Sequence, residues 1–174
     1  MRIGKELISA QEIDEKLAEM GAAITADYRG KDLLLVGILK GAFVVMADLA
    51  RYIDLPVEFD FMAISSYGSA TKSSGVVRIL KDLDQEIAGR HVLIVEDIVD
   101  TGLTLQYLLR SLSVRKPASL RLAALLVKDG VERPPLEIAY EGFHIPPKFV
   151  VGYGLDLDGK YRNLPYVAEV EGAD

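Results

Sequence analysis

The stretch formed by residues 91–105 constrains the fold of this chain more than any other. Its residues 92–95 are an apolar, β-branched run, which is typical of a buried strand in a parallel sheet. Two carboxylates, Glu96 and Asp97, follow that run directly, and a third, Asp100, comes shortly after them. The pattern therefore predicts a buried strand that carries an acidic group at its carboxyl end.

A small polar turn comes next and leads into a predicted helix with leucines at 105, 108, 109 and 112 on one face. Backbone N–H groups and hydroxyls of such a turn can surround a phosphate, and the helix dipole favours its charge. The neighbouring carboxylates can accept hydrogen bonds from sugar hydroxyls or bind Mg²⁺. An ordinary solvated strand end would explain any one of these residues, but their order indicates a phosphorylated ribose ligand. The turn consists of Thr101, Gly102, Leu103 and Thr104.

The composition is that of one folded domain, which we predict to span residues 1–174. A net charge of −6 without any large basic cluster argues against binding to nucleic acid or to an anionic membrane. Cysteine is absent, which excludes disulfides and thiolate metal sites. No segment is typical of a membrane span or a signal peptide, so the expected location is the cytoplasm.

Further apolar runs predict strands at residues 33–39, 57–65, 76–80 and 119–127. Lys40 and Gly41 follow the first of these and precede a predicted helix over Ala42–Arg51, while Lys128 follows the last. Strands that alternate with helices predict an α/β domain with a parallel sheet, in which ligands bind at the carboxyl ends of the strands. Lys40 and Gly41 are therefore candidates for a second phosphate site, with a surface lysine as the alternative.

Three other segments complete the prediction. Ser9 and Glu12 form a capping box for a packing helix that ends near Tyr28. Residues 65–75 are nearly devoid of apolar side chains, and we expect a flexible lid there rather than a plain hairpin connection. Residues 152–165 combine small residues with carboxylates and an arginine, as the rim of a ligand site does.

The central stretch resembles the phosphoribosyl pyrophosphate (PRPP) signature of type I phosphoribosyltransferases, in which Glu-Asp, two apolar residues, Asp-Thr-Gly and Thr follow an apolar strand. Over almost its whole length the chain is similar to the bacterial hypoxanthine-guanine phosphoribosyltransferases. The other matching pieces are Leu39-Lys40-Gly41, Ser65-Ser66-Tyr67-Gly68, Val127-Lys128-Asp129, residues 149–156 and Arg162-Asn163-Leu164-Pro165.

The resemblance implies the type I phosphoribosyltransferase fold, a parallel sheet with helices on both faces and a small hood subdomain built from segments near both termini of the core. It implies purine salvage, in which 5-phosphoribose passes from PRPP to N9 of hypoxanthine or guanine. The products would be IMP or GMP and pyrophosphate, and the reaction would depend on Mg²⁺. A homodimer or homotetramer is implied in the same way.

The resemblance also implies a role for each matching residue. Asp100 would be the catalytic proton acceptor near purine N7, and an unusual peptide geometry is expected between Leu39 and Lys40. Glu96 and Asp97 would hold the ribose hydroxyls and, with Asp156, the Mg²⁺. The remaining candidates would bind pyrophosphate (Lys40, Gly41, Arg162), the 5′-phosphate (Thr101, Gly102, Leu103, Thr104) and the purine (Lys128, Phe149, Val150, Asp156), or would close over the site (Ser66, Tyr67).

Two other functions stay open at this point. A sister enzyme on the same fold would act on xanthine, adenine or a pyrimidine, although Lys128 with Phe149 and Val150 favours a 6-oxopurine. A nucleotide-sensing regulator that binds RNA or a protein would keep the phosphate turn, but it could lose Asp100, Lys128 or the lid and would need a basic face. All three features are present, and the net charge is negative.

Overall fold

Nine strands and three helices make up residues 1–66 and 77–173, the part of the chain that the computed structural model describes. In chain order they are β1 (Arg2–Ile8), α1 (Ala10–Tyr28), β2 (Leu33–Leu39), α2 (Ala42–Arg51), β3 (Val57–Ser66), β4 (Val77–Lys81), β5 (His91–Val99), α3 (Leu103–Ser113), β6 (Ser119–Lys128), β7 (Tyr140–Ile145), β8 (Val150–Val151) and β9 (Val167–Glu171).

The central sheet has six strands in the order β4-β3-β2-β5-β6-β7. All neighbours are parallel except β3 and β4, which pair antiparallel at one edge, so the predicted parallel sheet is confirmed with one exception. From β2 the chain first runs outward to β3 and β4, and it then returns to place β5 on the other side of β2. This reversal makes the gap between the carboxyl ends of β2 and β5 the topological switch point, where ligands bind in open α/β sheets.

The alternation of side chains along β2 shows how the two faces of the sheet are covered. Leu33 and Leu35 belong to the apolar cluster that includes buried residues of α1 and α2. Leu34 and Val36 belong to a second cluster with the leucines of α3. Because successive side chains of a strand point to opposite faces, the helices lie on both faces, as predicted. Burial of both faces also explains why the predicted strands are continuous apolar runs.

The helices follow the sequence signals closely. Ser9 Oγ accepts a hydrogen bond from the N–H of Glu12, and the Glu12 carboxylate accepts one from the N–H of Ser9, so the predicted capping box of α1 is confirmed. α1 ends at Tyr28 and α2 spans Ala42–Arg51, both as predicted. None of the helices in the described ranges has the length and hydropathy needed to cross a membrane.

One part of the prediction needs correction at its boundary. The predicted lid begins at residue 65, but β3 continues through Ser65 and Ser66, because they pair with Arg78 and Val77 of β4. The rest of the lid segment, including Tyr67, lies outside the described residues.

A second sheet of three strands, in the order β1-β9-β8, was not predicted from the sequence. In β1 only Ile8 is buried and the register with β9 shifts twice, so the strand carries no regular apolar alternation. β8 consists of Val150 and Val151 only, which pair with β9. This small sheet packs the segments near both ends of the described chain against each other.

Candidate active site

The switch point holds a cavity of about 300 Å³. The carboxyl ends of β2 and β5, the segment that follows β5 and the first turn of α3 all contribute to its walls. Most of the predicted phosphate turn faces it. The predicted site residues that line the cavity are Glu96, Asp100, Thr101, Gly102 and Thr104.

The phosphate turn has the geometry of an anion site. Gly102 adopts a left-handed conformation with φ 73°, which glycine tolerates without strain. It occupies the N-cap position of α3, and no side chain caps the helix there. The first N–H groups of α3 therefore lack side-chain partners and, together with the helix dipole, favour an anion.

Glu96 and Asp97 form an acidic pair at the carboxyl end of β5. Burial raises the pKa of Glu96 well above its usual range, and the charge of Asp97 beside it adds to the effect. The pKa of Asp97 is also raised by burial, while the Ile98 N–H, 2.7 Å from Oδ1, and the charge of Arg162 act in the opposite direction. Two repelling carboxylates in a partly buried position favour a cation or hydrogen-bond donors between them.

This pair also fits a magnesium ion by the chemistry of its donors. Mg²⁺ prefers carboxylate oxygens, usually one or two together with substrate phosphates and water. Within the described residues no three His, Cys, Asp or Glu side chains cluster, so an all-protein metal cage is absent there. Two neighbouring carboxylates are the number of protein ligands that Mg²⁺ commonly takes when it also binds substrate phosphates and water.

Lys40 and Gly41 lie where β2 ends, across from this acidic pair. The peptide bond between Leu39 and Lys40 is cis, which confirms the expected unusual geometry. A Cβ atom on Gly41 would lie 2.0 Å from Oδ2 of Asp97 and 3.0 Å from the carbonyl oxygen of Gly154. The absence of a side chain at Gly41 thus lets three segments meet closely. The Lys40 residue itself is exposed.

Arg162 connects residues 154–162 to the place where Gly41, Asp97 and Gly154 approach one another. Its Nη1 donates to the carbonyl oxygen of Gly154 at 2.6 Å, and its Nη2 lies 3.0 Å from Oδ1 of Asp156. Oδ2 of Asp156 accepts a hydrogen bond from the N–H of Gly159 at 2.8 Å. An ionised carboxylate has about four acceptor positions, so Asp156 keeps the capacity for a further ligand.

Lys128 and Asp100 meet on the other side of the cavity. Nζ of Lys128 donates to Oδ2 of Asp100 at 2.9 Å. The Lys128 side chain is 15% exposed and that of Asp100 50%, so the carboxylate faces open space while the lysine stem is packed. The Lys128 carbonyl oxygen accepts a hydrogen bond from the Arg133 guanidinium, which stabilises the C-terminal end of β6.

Val150 lies in the small sheet, and Phe149 directly precedes it. Phe149 is 44% exposed although it is a large aromatic residue, whereas Val150 is buried. The carbonyl oxygen of Phe149 accepts a hydrogen bond from the Val170 N–H at 3.0 Å, so β9 fixes the segment that presents the ring. An exposed aromatic ring on a fixed backbone can stack on a planar ligand.

The structure thus brings most of the predicted site residues to one edge of the sheet. Ser66 lies at the end of β3, and Tyr67 lies outside the described residues. Tyr153 is not among the residues predicted from the sequence, yet it lies in the loop that packs on Gly41. The Gly-Tyr-Gly pattern at residues 152–154 is the one signal that marks this loop in the sequence.

Comparison with known proteins agrees with this geometry. The family model of the phosphoribosyl transferase domain matches residues 4–158. The hypoxanthine-guanine phosphoribosyltransferase of Mycobacterium avium is 56% identical, over 95% of this chain and 84% of that protein. The protein of that name from Bacillus subtilis is 47% identical, over 98% of this chain and 95% of that protein.

A solved structure gives the same result for the fold. The crystal structure of a hypoxanthine phosphoribosyltransferase from Staphylococcus aureus superimposes with a TM-score of 0.94 at 44% identity, and the match covers 97% of this chain and 92% of that one. The resemblance predicted from the motifs is confirmed. The chain therefore belongs to the phosphoribosyl transferase domain family, and within it to the hypoxanthine-guanine phosphoribosyltransferases.

Proposed function

We propose that this protein transfers 5-phosphoribose from PRPP to N9 of hypoxanthine or guanine, giving IMP or GMP and pyrophosphate. The contact between Lys128 and Asp100 carries the proposal, since it sets a cation 2.9 Å from a carboxylate that lines the cavity. O6 and N7 are neighbouring atoms on one edge of a 6-oxopurine. A lysine and an aspartate side by side suit that edge, with Lys128 on O6 and Asp100 on N7.

PRPP would bind across the switch point in three places. The 5′-phosphate would be held by the turn that begins α3, where the N–H groups lack a capping side chain. Glu96 and Asp97 would accept hydrogen bonds from the ribose hydroxyls. Lys40, Gly41 and Arg162 would bind the pyrophosphate group. The residues of the phosphate turn are Thr101, Gly102, Leu103 and Thr104.

Glu96, Asp97 and Asp156 are the residues that would hold Mg²⁺. The raised pKa values of Glu96 and Asp97 support this placement, because burial disfavours their ionised forms and a bound cation would stabilise them. Bound Mg²⁺ supplies positive charge that stabilises the pyrophosphate leaving group.

The side chains of the protein supply the remaining stabilisation. As the bond between C1′ and pyrophosphate breaks, negative charge grows on the leaving group, where Lys40 and Arg162 would stabilise it. Positive charge grows on the ribose, and N9 of the purine attacks C1′. Asp100 would accept the purine proton from N7 during this attack, a contribution typically of about 10² to 10⁴ in rate.

Lys128 would select the purine. Its side chain is largely buried, so a base that cannot accept its hydrogen bond leaves one N–H donor of a desolvated ammonium group without a partner, while the bond to Asp100 persists. Adenine carries a donor at position 6 in place of the oxygen, and mismatched hydrogen bonding of this kind discriminates by roughly 10⁴. Phe149 would stack on the base, the Val150 backbone would contact it, and Asp156 would lie near the 2-position of guanine.

The three-stranded sheet of β1, β9 and β8 would form the hood over the base, because it carries Phe149 and Val150. Ser66 would begin the segment that closes over the site, together with Tyr67. The homodimer or homotetramer and the cytoplasmic location stay predictions from the sequence.

The test is pyrophosphate release from PRPP and Mg²⁺ with five bases in parallel: hypoxanthine, guanine, xanthine, adenine and uracil. Turnover with hypoxanthine and guanine, without turnover of adenine and uracil, is the expected result. The xanthine reaction shows whether the site accepts an oxygen at position 2 of the purine.

Two other outcomes would contradict the proposal. Preferential turnover of adenine or uracil would indicate a sister enzyme and would remove the selective role of Lys128. PRPP binding without turnover of any base would indicate a nucleotide-sensing regulator instead of an enzyme.

A further inference from the structure

Tyr153 has a buried side chain that makes a polar contact with a helix far away in the sequence. It is 8% exposed, and its hydroxyl donates a hydrogen bond to Oδ2 of Asp48 on α2. Burial raises the pKa of Tyr153, and the bond to Asp48 raises it further, so the hydroxyl stays protonated and remains a donor. A buried hydroxyl with a charged acceptor is a strong, directional link between two segments.

The backbone around Tyr153 is unusual. Gly152, Tyr153 and Gly154 all have positive φ values, of 97°, 50° and 98°. Glycine tolerates such values, but a tyrosine in this region is disfavoured by its Cβ. A residue with a side chain keeps such a conformation only where the surrounding structure holds it, and such positions cluster at functional sites.

Several bonds hold this loop in place. The N–H of Tyr153 donates to the Leu164 carbonyl at 2.9 Å, and the N–H of Gly154 donates to the Arg162 carbonyl at 3.0 Å. In return the Arg162 guanidinium donates to the Gly154 carbonyl at 2.6 Å. These contacts join the loop to the segment of Arg162, but only the hydroxyl of Tyr153 joins it to α2 through a side-chain bond among those the structure describes.

The link to α2 matters because α2 begins directly after Gly41. Gly154 lies so close to Gly41 that a Cβ atom on Gly154 would be 2.2 Å from the Gly41 carbonyl oxygen. The loop therefore touches the N-terminus of α2 through Gly154 and the middle of α2 through Asp48. Two contacts to one rigid helix fix both the position and the tilt of the loop.

We propose that Tyr153 is a positioning residue for the pyrophosphate subsite. Its hydrogen bond to Asp48 holds the loop of residues 152–154 against α2, and the loop in turn fixes Gly41 and Arg162, between which pyrophosphate binds. The inference rests on the proposed function and adds to it a residue that touches no substrate.

The experiment compares two ligands in the full chain by titration calorimetry with Mg²⁺ present. Pyrophosphate probes the subsite directly, whereas IMP carries the base, ribose and 5′-phosphate but no pyrophosphate group. Tyr153→Phe removes only the hydroxyl. Tyr52→Phe is the matched control, because the Tyr52 hydroxyl makes the same kind of bond, to Asp14 of α1, and Tyr52 follows the C-terminal end of α2, opposite to the end at Gly41.

Tyr153→Phe is expected to weaken pyrophosphate binding about tenfold, to raise the KM for PRPP and to leave IMP binding unchanged. Tyr52→Phe is expected to change neither ligand. Asp48→Ala is expected to repeat the loss for pyrophosphate, and the double variant to add nothing to it. Asp48 is on a partly exposed helix surface, and alanine is a good helix former, so Asp48→Ala is expected to fold. If Tyr153→Phe does not fold, pyrophosphate binding by Asp48→Ala tests the inference in its place.

Unchanged pyrophosphate binding in Tyr153→Phe and in Asp48→Ala would overturn the inference. Equal losses for pyrophosphate and IMP would overturn it as well, since they would show a general structural role. If the unmodified protein bound neither ligand, the proposed function itself would fail, and the two failures are therefore distinguishable.

Discussion

Replacing Gly41 by alanine would put a methyl carbon 2.0 Å from Oδ2 of Asp97 and 3.0 Å from the carbonyl oxygen of Gly154. The backbone is no obstacle, because Gly41 has φ −57° and ψ −40°, values that alanine adopts readily. Real Cβ contacts essentially never fall below 3.0 Å. The Asp97 carboxylate or the β2 end must therefore shift by roughly 1 Å, a displacement that well-packed regions resist.

The expected effect is large in catalysis and moderate in stability. A misplacement of about 1 Å in a site costs roughly 10² in rate, so kcat/KM for PRPP should fall about 100-fold. Overpacking costs typically about 1–3 kcal/mol in the free energy of unfolding. Steady-state pyrophosphate release at saturating hypoxanthine measures the first effect, and urea unfolding measures the second.

Gly4→Ala serves as the control for this variant. The three atoms nearest to its added methyl group all belong to the side chain of Glu171, which is 46% exposed and can give way at the cost of a surface ion pair with Arg2. We expect kinetics close to those of the unmodified protein. Wild-type kcat and KM for PRPP in Gly41→Ala would refute the argument that Gly41 is required for the close approach of Asp97.

Three further predictions concern single side chains. Asp100→Asn should lower kcat by about 10² to 10⁴ while PRPP binding persists, and unchanged turnover would remove Asp100 as the proton acceptor. Lys128→Ala should reduce the preference for hypoxanthine over adenine, measured as a ratio of kcat/KM values, without changing pyrophosphate affinity. An unchanged ratio would contradict the role in purine selection. The pKa of His144 is raised by hydrogen bonds to Asp129 and Glu141, so its protonated form stabilises the fold fully below pH 6.5, and this contribution is lost as the pH rises through the raised pKa. His144→Gln should therefore lower the free energy of unfolding in urea more at about pH 5.5 than at about pH 9. The difference should be less than ~1 kcal/mol, because the side chain is 48% exposed. A loss of stability that does not depend on pH would contradict the role of the protonated histidine.

The position of the site could be predicted because the strands that carry it are buried on both faces. Such strands appear in the sequence as continuous apolar runs, and the first polar residue after each run marks its carboxyl end. Lys40, Glu96 and Lys128 were placed in this way. The structure has β2 ending at Leu39 and β6 at Lys128, whereas β5 continues past Glu96 to Val99. The Thr101–Thr104 turn could be predicted for a similar reason, because the strand, the turn and the helix follow one another directly in the sequence.

Contacts between distant segments could not be predicted in this way. The bond between Tyr153 and Asp48 joins residues 105 positions apart, and no periodicity in either segment encodes it. The close approach of Gly41 and Gly154 is of the same kind, because a glycine in a sequence does not tell which backbone comes near. β1 escaped prediction because a strand with a single buried residue lacks the alternation that identifies strands.

The pairing of β1 with β9 sets a condition on biosynthesis. Arg2 and Glu171, which face each other in this pair, are 169 positions apart, so a growing chain makes β1 first and must wait for its partner until synthesis reaches β9. During that interval β1 is a lone strand edge, a hazard for pairing with other nascent chains. Arg2, Lys5 and Glu6 place charges along this strand, and charged side chains are a common means by which such edges avoid aggregation.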